Sequence, residues 1–218
     1  MQFDFSYISR NLPFFAEGLA VTVELSVIAV LLSVGWGLPV ALAKGSKARP
    51  VQLLANAYIE VARDTPLLVQ ILFIYFGFAA AGFGLSGFAS ALLALTLQHG
   101  AYVSEIYRSG FVSVSRQQVE GGMALGMSRW EILRIVILPQ AIVRVIPPLG
   151  NQFIGIVKDT SLASAIAVVE VTHVGRILTE RAAASYEILV TVALIYLFLS
   201  TVIAVLVSYA ERRLAFSH

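Results

Sequence analysis

Between Ile188 and Tyr209 the chain carries no charged side chain and consists largely of Leu, Ile and Val. At 1.5 Å per residue, a helix over that run is long enough to cross a hydrocarbon core of about 30 Å. Lipid offers no hydrogen bonds, so only helices and closed barrels satisfy their backbone polar groups there. The rest of the sequence agrees with a membrane helix bundle: 58% of residues are hydrophobic and 13% charged, against roughly a quarter charged in soluble domains. A chain this poor in polar surface is excluded as a soluble enzyme, a disordered segment or a nucleic-acid-binding domain. It has no cysteine, which removes disulfides, thiol catalysis and cysteine metal sites.

The expected fold is all-α, a single polytopic domain over residues 1–218 with about five transmembrane helices, at 19–43, 53–81, 88–107, 142–165 and 188–209. Neither an internal repeat nor a Gly/Ser linker divides it. Met1 to Gly18 holds Asp4, Arg10 and Glu17 and lacks a basic start followed by an apolar run. No cleaved signal peptide is expected, and insertion falls to the spans themselves. The second span starts within Leu53–Val61, because the run from Pro66 to Ala81 is short alone. The fourth is the least regular, interrupted by Pro139, Arg144, Pro147, Pro148, Gly150, Gly155 and Lys158-Asp159, and an amphipathic stretch over Val168–Ser185 follows it.

Charge placement orients the bundle. With an odd number of spans the loops near Lys44–Arg63, Arg108–Arg144 and Arg212–Arg213 share one face. That face takes Lys44, Lys47, Arg49, Arg63, Arg108, Arg116, Arg129, Arg134, Arg144, Arg212 and Arg213; the other takes only Arg10, Arg176 and Arg181. Positive loops stay inside, so the C-terminus and the 108–144 loop are expected in the cytoplasm. The net charge of +2 is therefore a topology signal and no hint of nucleic acid.

The 108–144 loop contains Glu120-Gly121-Gly122-Met123-Ala124-Leu125-Gly126-Met127-Ser128 and then Val136-Ile137-Leu138-Pro139. Small residues among helix formers let another surface approach the backbone closely, and Gly126 suits the end of a short helix. Glu120 is expected near that helix's N-terminus, where the dipole favours a carboxylate. The result is a short helix within 114–131 lying across the cytoplasmic ends of the spans.

The spacing Glu-x(5)-Gly-x(9)-Val-x-Leu-Pro resembles the cytoplasmic loop of permease subunits of type I ATP-binding-cassette importers. That loop follows Glu-Ala-Ala-x-x-x-Gly-x(9)-Ile-x-Leu-Pro. The resemblance implies that Glu120, Gly121, Gly122, Ala124, Leu125, Gly126, Leu138 and Pro139 belong to a coupling helix docked on an ATPase subunit. Gly121 and Gly122 stand where alanines are usual, and Val136 where isoleucine is; the two glycines cost helix stability, about 1 kcal/mol each relative to Ala. Four further stretches are similar to the polar amino-acid branch of the family: Gly18–Ser26, Tyr58–Gln70, Gly100–Arg108 and Val157–Leu162. Asp64 departs from a usual glycine before Thr-Pro, and would either alter substrate preference or pair with Arg63.

Candidate pathway residues sit at two expected breaks. At Arg63-Asp64-Thr65-Pro66, Thr65 can cap a new helix and Pro66 suits its first position. At Lys158-Asp159-Thr160-Ser161, Asp159 or Thr160 could cap a following helix. A helix N-terminus at membrane depth offers free N–H groups to a substrate carboxylate. The plainer alternatives are an Arg63–Glu60 pair at the interface and a structural Lys158–Asp159 ion pair, although ionisable residues in apolar stretches are costly unless paired or lining a cavity. His99 reads as a packed, hydrogen-bonded residue, with no partner four residues on for a metal pair. Glu105 is expected to pair with Arg108, and Glu24 has no assigned role.

No Gly-x(4)-Gly-Lys-Ser/Thr loop, Ser-x-x-Lys, His-Glu-x-x-His or nucleophile elbow is present, so no catalysis or cofactor is expected in the chain itself. The resemblance implies the membrane subunit of an ATP-driven importer of polar amino acids in a bacterial cytoplasmic membrane. Implied partners are a second permease subunit, two ATPase subunits carrying ATP and Mg, an external amino-acid-binding protein and the lipid bilayer. A secondary transporter driven by an ion gradient is the alternative, spoken for only by Lys158-Asp159. A non-transporting membrane scaffold is the third reading.

Overall fold

The computed structural model describes residues 6–181 and 185–215; the expectations for Asp4 and for 182–184 lie outside them. Every element among these residues is helical. A short α1 (Ser6–Arg10) leads into α2 (Leu12–Lys44), which begins seven residues before the expected first span because Phe14, Phe15 and Leu19 continue its apolar surface. Then come α3 (Arg49–Asp64), α4 (Leu67–Ala80), α5 (Gly87–Val112), α6 (Arg116–Ala124), α7 (Arg129–Ile166), α8 (Val171–Arg181) and α9 (Ser185–Ala215).

Three of these, α2, α7 and α9, are long and apolar enough to cross a membrane, and α3 with α4 makes a fourth if that bent pair counts as one span. The pair turns through 105° at Thr65-Pro66, so the stretch 53–81 is an elbow and not a straight rod. Pro66 has no N–H to continue α3 and pushes Thr65 into extended geometry, with φ −95° and ψ 133°. The centrally placed α5 is long enough but less apolar, since Gln98, His99 and Tyr102 interrupt it. It packs most extensively on α2, and Ala91, Ala94, Leu95, Ala101 and Val103 are buried along it.

The fourth apolar region is one helix from Arg129 onward, where a cytoplasmic loop to Arg144 was expected. A π-helical segment, Ile132–Ile137, precedes Pro139, and the wider turn accommodates the proline's missing N–H. At the other end the helix tightens into a 3-10 segment, Thr160–Ile166, and stops at Ala167, whose φ is +60°.

The main core joins α2, α4, α5 and the end of α7 through Leu25, Ala29, Leu67, Ile71, Leu95, Ile156 and Ala163. The outer helix α9 contributes little to it. Leu189, Leu194, Leu197, Phe198, Val205 and Leu206 are all exposed, an apolar face that lipid or a neighbouring subunit must cover. Glu105 pairs with Lys44 of α2 at 2.8 Å and not with Arg108, because α2–α5 packing brings the last turn of α2 alongside.

Candidate functional site

The residues expected to carry the function fall into two groups in the structure. At one end of the bundle, α6 runs from Arg116 to Ala124 and ends at Gly126, whose φ of +77° is a left-handed conformation that suits glycine. Glu120 is not at the N-terminus: the helix starts at Arg116, and Glu120 in its second turn accepts a hydrogen bond from Arg116 Nε at 2.8 Å. The usual alanine at Gly122 would crowd here, since a Cβ would lie 3.0 Å from Ile132 Cγ1. Close packing on α7 therefore accompanies the second glycine, while Gly121 faces open space.

Past Gly126 the chain enters α7 through a capping box. Ser128 Oγ accepts from Glu131 N, and Glu131 Oε2 accepts from Ser128 N at 2.7 Å. Behind the turn, the Arg144 guanidinium donates to the Ser113 carbonyl and ties the loop's base to α7. Leu138 and Pro139 are half-buried in α7, away from the tip, whereas Met123, Leu125, Ala124, Gly126 and Trp130 are exposed. Leu125 is 84% exposed, an apolar side chain presented at the turn.

The second group converges on one face of α5. Neither expected helix cap forms. Thr65 makes no side-chain cap, and Pro66 occupies the capping position of α4. The polar groups closed at the elbow are carbonyls: Gln70 Nε2 donates to Ala62 O at 2.8 Å and Thr65 O at 3.0 Å, and Gln98 Nε2 donates to Thr65 O at 3.0 Å. At Lys158–Ser161 there is no helix start, because α7 continues into its 3-10 segment. Thr160 Oγ1 and Ser161 Oγ turn back to the carbonyls of Val157 and Lys158, each at 2.7 Å.

Arg63 and Asp64 are exposed, and no ion pair joins Arg63 to Glu60 or Asp64 among the described residues. The Arg63 guanidinium instead lies 5.0 Å from the centre of the Tyr102 ring on α5, a cation–π distance. Tyr102 neighbours His99, one turn back, with ring centres 6.4 Å apart. The half-buried Asp159 approaches His99, while Lys158 is exposed. The two breaks, nearly a hundred residues apart in sequence, thus meet across Gln98, His99 and Tyr102.

Gln70, Gln98 and Gln152 were not singled out by sequence. Their signal is positional: Gln98 adjoins His99, and Gln152 lies two turns before Asp159 on the same helix face. A third polar cluster was also missed. Glu170 is fully buried, accepts from the backbone of Thr172 and His173 at the start of α8, and takes the Tyr196 hydroxyl at 2.5 Å. Burial pushes its carboxyl above the ordinary value. No group of three or more His, Asp or Glu suited to a metal occurs among the described residues.

Comparison with known proteins places this architecture. The glutamine transport system permease protein GlnP of Escherichia coli (strain K12) is 38% identical over 98% of this chain and 99% of its own. The glutamate/aspartate import permease protein GltK of Escherichia coli O6:H1 is 34% identical with the same coverage. A solved structure described as an amino acid ABC transporter with histidines superposes with a TM-score of 0.92, at 38% identity, over 98% of this chain and 100% of that one. The methionine transporter MetNI in an inward-facing conformation shares the fold, with a TM-score of 0.78 at 16% identity. Residues 33–216 match the family described as the binding-protein-dependent transport system inner membrane component, and with relatives this similar over nearly its whole length the chain belongs to that family: it is a membrane transport subunit and not an enzyme.

Proposed function

We propose that the chain is the permease subunit of an ATP-driven importer for polar amino acids, and that the 116–131 segment passes the ATPase cycle to the transmembrane helices. The observation that carries this is the exposed turn at Leu125-Gly126, braced by the Ser128–Glu131 capping box and the Arg144–Ser113 contact. Relatives named for glutamine and for glutamate and aspartate support the substrate class. Glu120, Gly121, Gly122, Ala124, Leu125 and Gly126 form the docking turn in this reading, with Leu138 and Pro139 linking it to α7. Arg63, Asp64, Thr65, Pro66, Lys158, Asp159, Thr160 and Ser161 line or gate the pathway.

In this reading five crossings, with α5 as an interior span, leave the C-terminus on the same cytoplasmic side as the docking turn, consistent with the distribution of Lys and Arg. The partners in this reading are a second permease subunit against the exposed face of α9, two ATPase subunits holding ATP and Mg, and a binding protein on the opposite side.

Uptake into sealed membrane vesicles tests the reading. Import of L-glutamine, L-glutamate or L-lysine should require ATP inside and the binding protein outside, and should persist when an ionophore collapses ion gradients. Collapse of uptake with ATP present would favour a gradient-driven carrier. No uptake of any of the three under either energy source would favour a scaffold.

A further inference from the structure

Asp159 has a neighbour that spacing along one helix does not reveal. His99, 3% exposed, places Nε2 at 3.1 Å from Asp159 Oδ2, and its Nδ1 lies 2.5 Å from Gln152 Nε2. An amide that donates to Nδ1 makes that nitrogen the acceptor and leaves the ring proton on Nε2, on the side of the carboxylate. The approach to Asp159 is oblique and falls short of a full hydrogen bond in direction. One carboxylate oxygen therefore sits beside a polarised N–H, while 40% of the Asp159 side chain remains exposed.

Burying an imidazole costs free energy unless both nitrogens find partners. A leucine would fill the same space at no such cost. Gln152 and Asp159 both lie on α7, and the Gln152 contact sets the ring with its Nε2 beside a carboxylate that is only half buried. A carboxylate held on one side can offer its other oxygen to a cation, and an ammonium group is the cation every amino acid carries at neutral pH. Of the cations at the two expected breaks, Arg63 is stacked on Tyr102 and Lys158 is exposed, with no ion pair to Asp159 among the described residues.

We infer that His99, backed by Gln152, is a positioning residue that aims Asp159 at the ammonium group of the transported amino acid. This rests on the proposed pathway role of Asp159. It acts through geometry: an unheld carboxylate samples more orientations and binds the ammonium more weakly.

Equilibrium binding of radiolabelled L-glutamine, L-glutamate and L-lysine to the purified permease–ATPase complex tests it, read on whichever of the three the wild type binds most tightly. His99→Leu should weaken binding roughly tenfold, and His99→Gln, which restores an N–H donor, should recover most of the loss. In an Asp159→Asn background His99→Leu should add less than twofold, because the two act through one contact. Gln152→Leu provides the same cycle if His99→Leu fails to assemble. Wild-type affinity in His99→Leu, or an equal tenfold loss with Asp159 already replaced, would overturn the inference. Wild-type affinity in Asp159→Asn alone would remove the pathway role of Asp159 itself, and the inference with it. The wild type binding none of the three would also overturn it.

Discussion

Substituting valine for Gly126 should reduce ATP-driven uptake roughly 5- to 30-fold while leaving the amount of permease in the membrane unchanged. Gly126 has φ +77°, and a Cβ built there meets nothing within 4 Å. The first carbon of the new side chain therefore meets no neighbour, and the left-handed backbone carries the effect. An L-residue in the left-handed region costs about 1–2 kcal/mol, and a β-branched one is a stronger outlier there. That range corresponds to a factor of roughly 5–30 in the population of the turn as seen. Asparagine visits this region readily, so Gly126→Asn should retain most of the transport. Uptake by reconstituted complexes, normalised to permease content, checks both variants. Equal activity of the valine and asparagine forms would show that the shape of the turn is irrelevant.

Replacing Gly150 with alanine should destabilise the bundle, and Val207→Ala should restore much of the loss. Gly150 on α7 packs directly against Val207 of α9. A Cβ there would lie 2.2 Å from Val207 Cγ1, 2.7 Å from Cγ2 and 2.9 Å from Cβ. Carbon contacts are comfortable at about 3.5–4.0 Å, and no rotation about χ1 moves the Val207 Cβ. The two helices must then separate, at a cost of about 1–3 kcal/mol for overpacking. In lipid there is no hydrophobic gain to compensate, because helix association depends on close packing by small residues. Thermal unfolding of the detergent-solubilised complex should show a midpoint lowered by several degrees in Gly150→Ala and largely recovered in the double variant. An unchanged midpoint in the single variant would mean that α7 and α9 do not pack this way.

Much of this arrangement was legible in sequence, and what was not has a common physical cause. The uncharged run Ile188–Tyr209 had to be a helix, and the Pro66 break and the glycine stop at 126 follow from local backbone chemistry, so each is visible in a few residues. Contacts between helices have no such local signature. Lys44 meets Glu105 at a separation of 61 residues, whereas pairing rules along one helix point to Arg108. His99 was expected to be packed and hydrogen-bonded, and it is buried beside Gln152 and Asp159. Its partners lie on another helix, out of reach of spacing. The 105° turn after Asp64 is set by how α4 seats on α5 and the end of α7, so proline marks where the chain bends and packing decides how far. At Thr160 the hydroxyl that suggested a cap bonds back to Val157 instead, because a 3-10 continuation satisfies the backbone without one. Glu170 passed unnoticed since a lone carboxylate between apolar runs reads as an interface residue until Tyr196 is brought onto it.

The central proposal is that ATP hydrolysis and transport are linked through the exposed turn after α6. The most direct measurement is ATP hydrolysis by the permease assembled with its cognate ATPase and binding protein, with residues 120–126 present or deleted. Deletion should abolish uptake and bring hydrolysis down to the rate of the ATPase without permease. Hydrolysis and uptake identical to those of the intact chain would contradict the proposal.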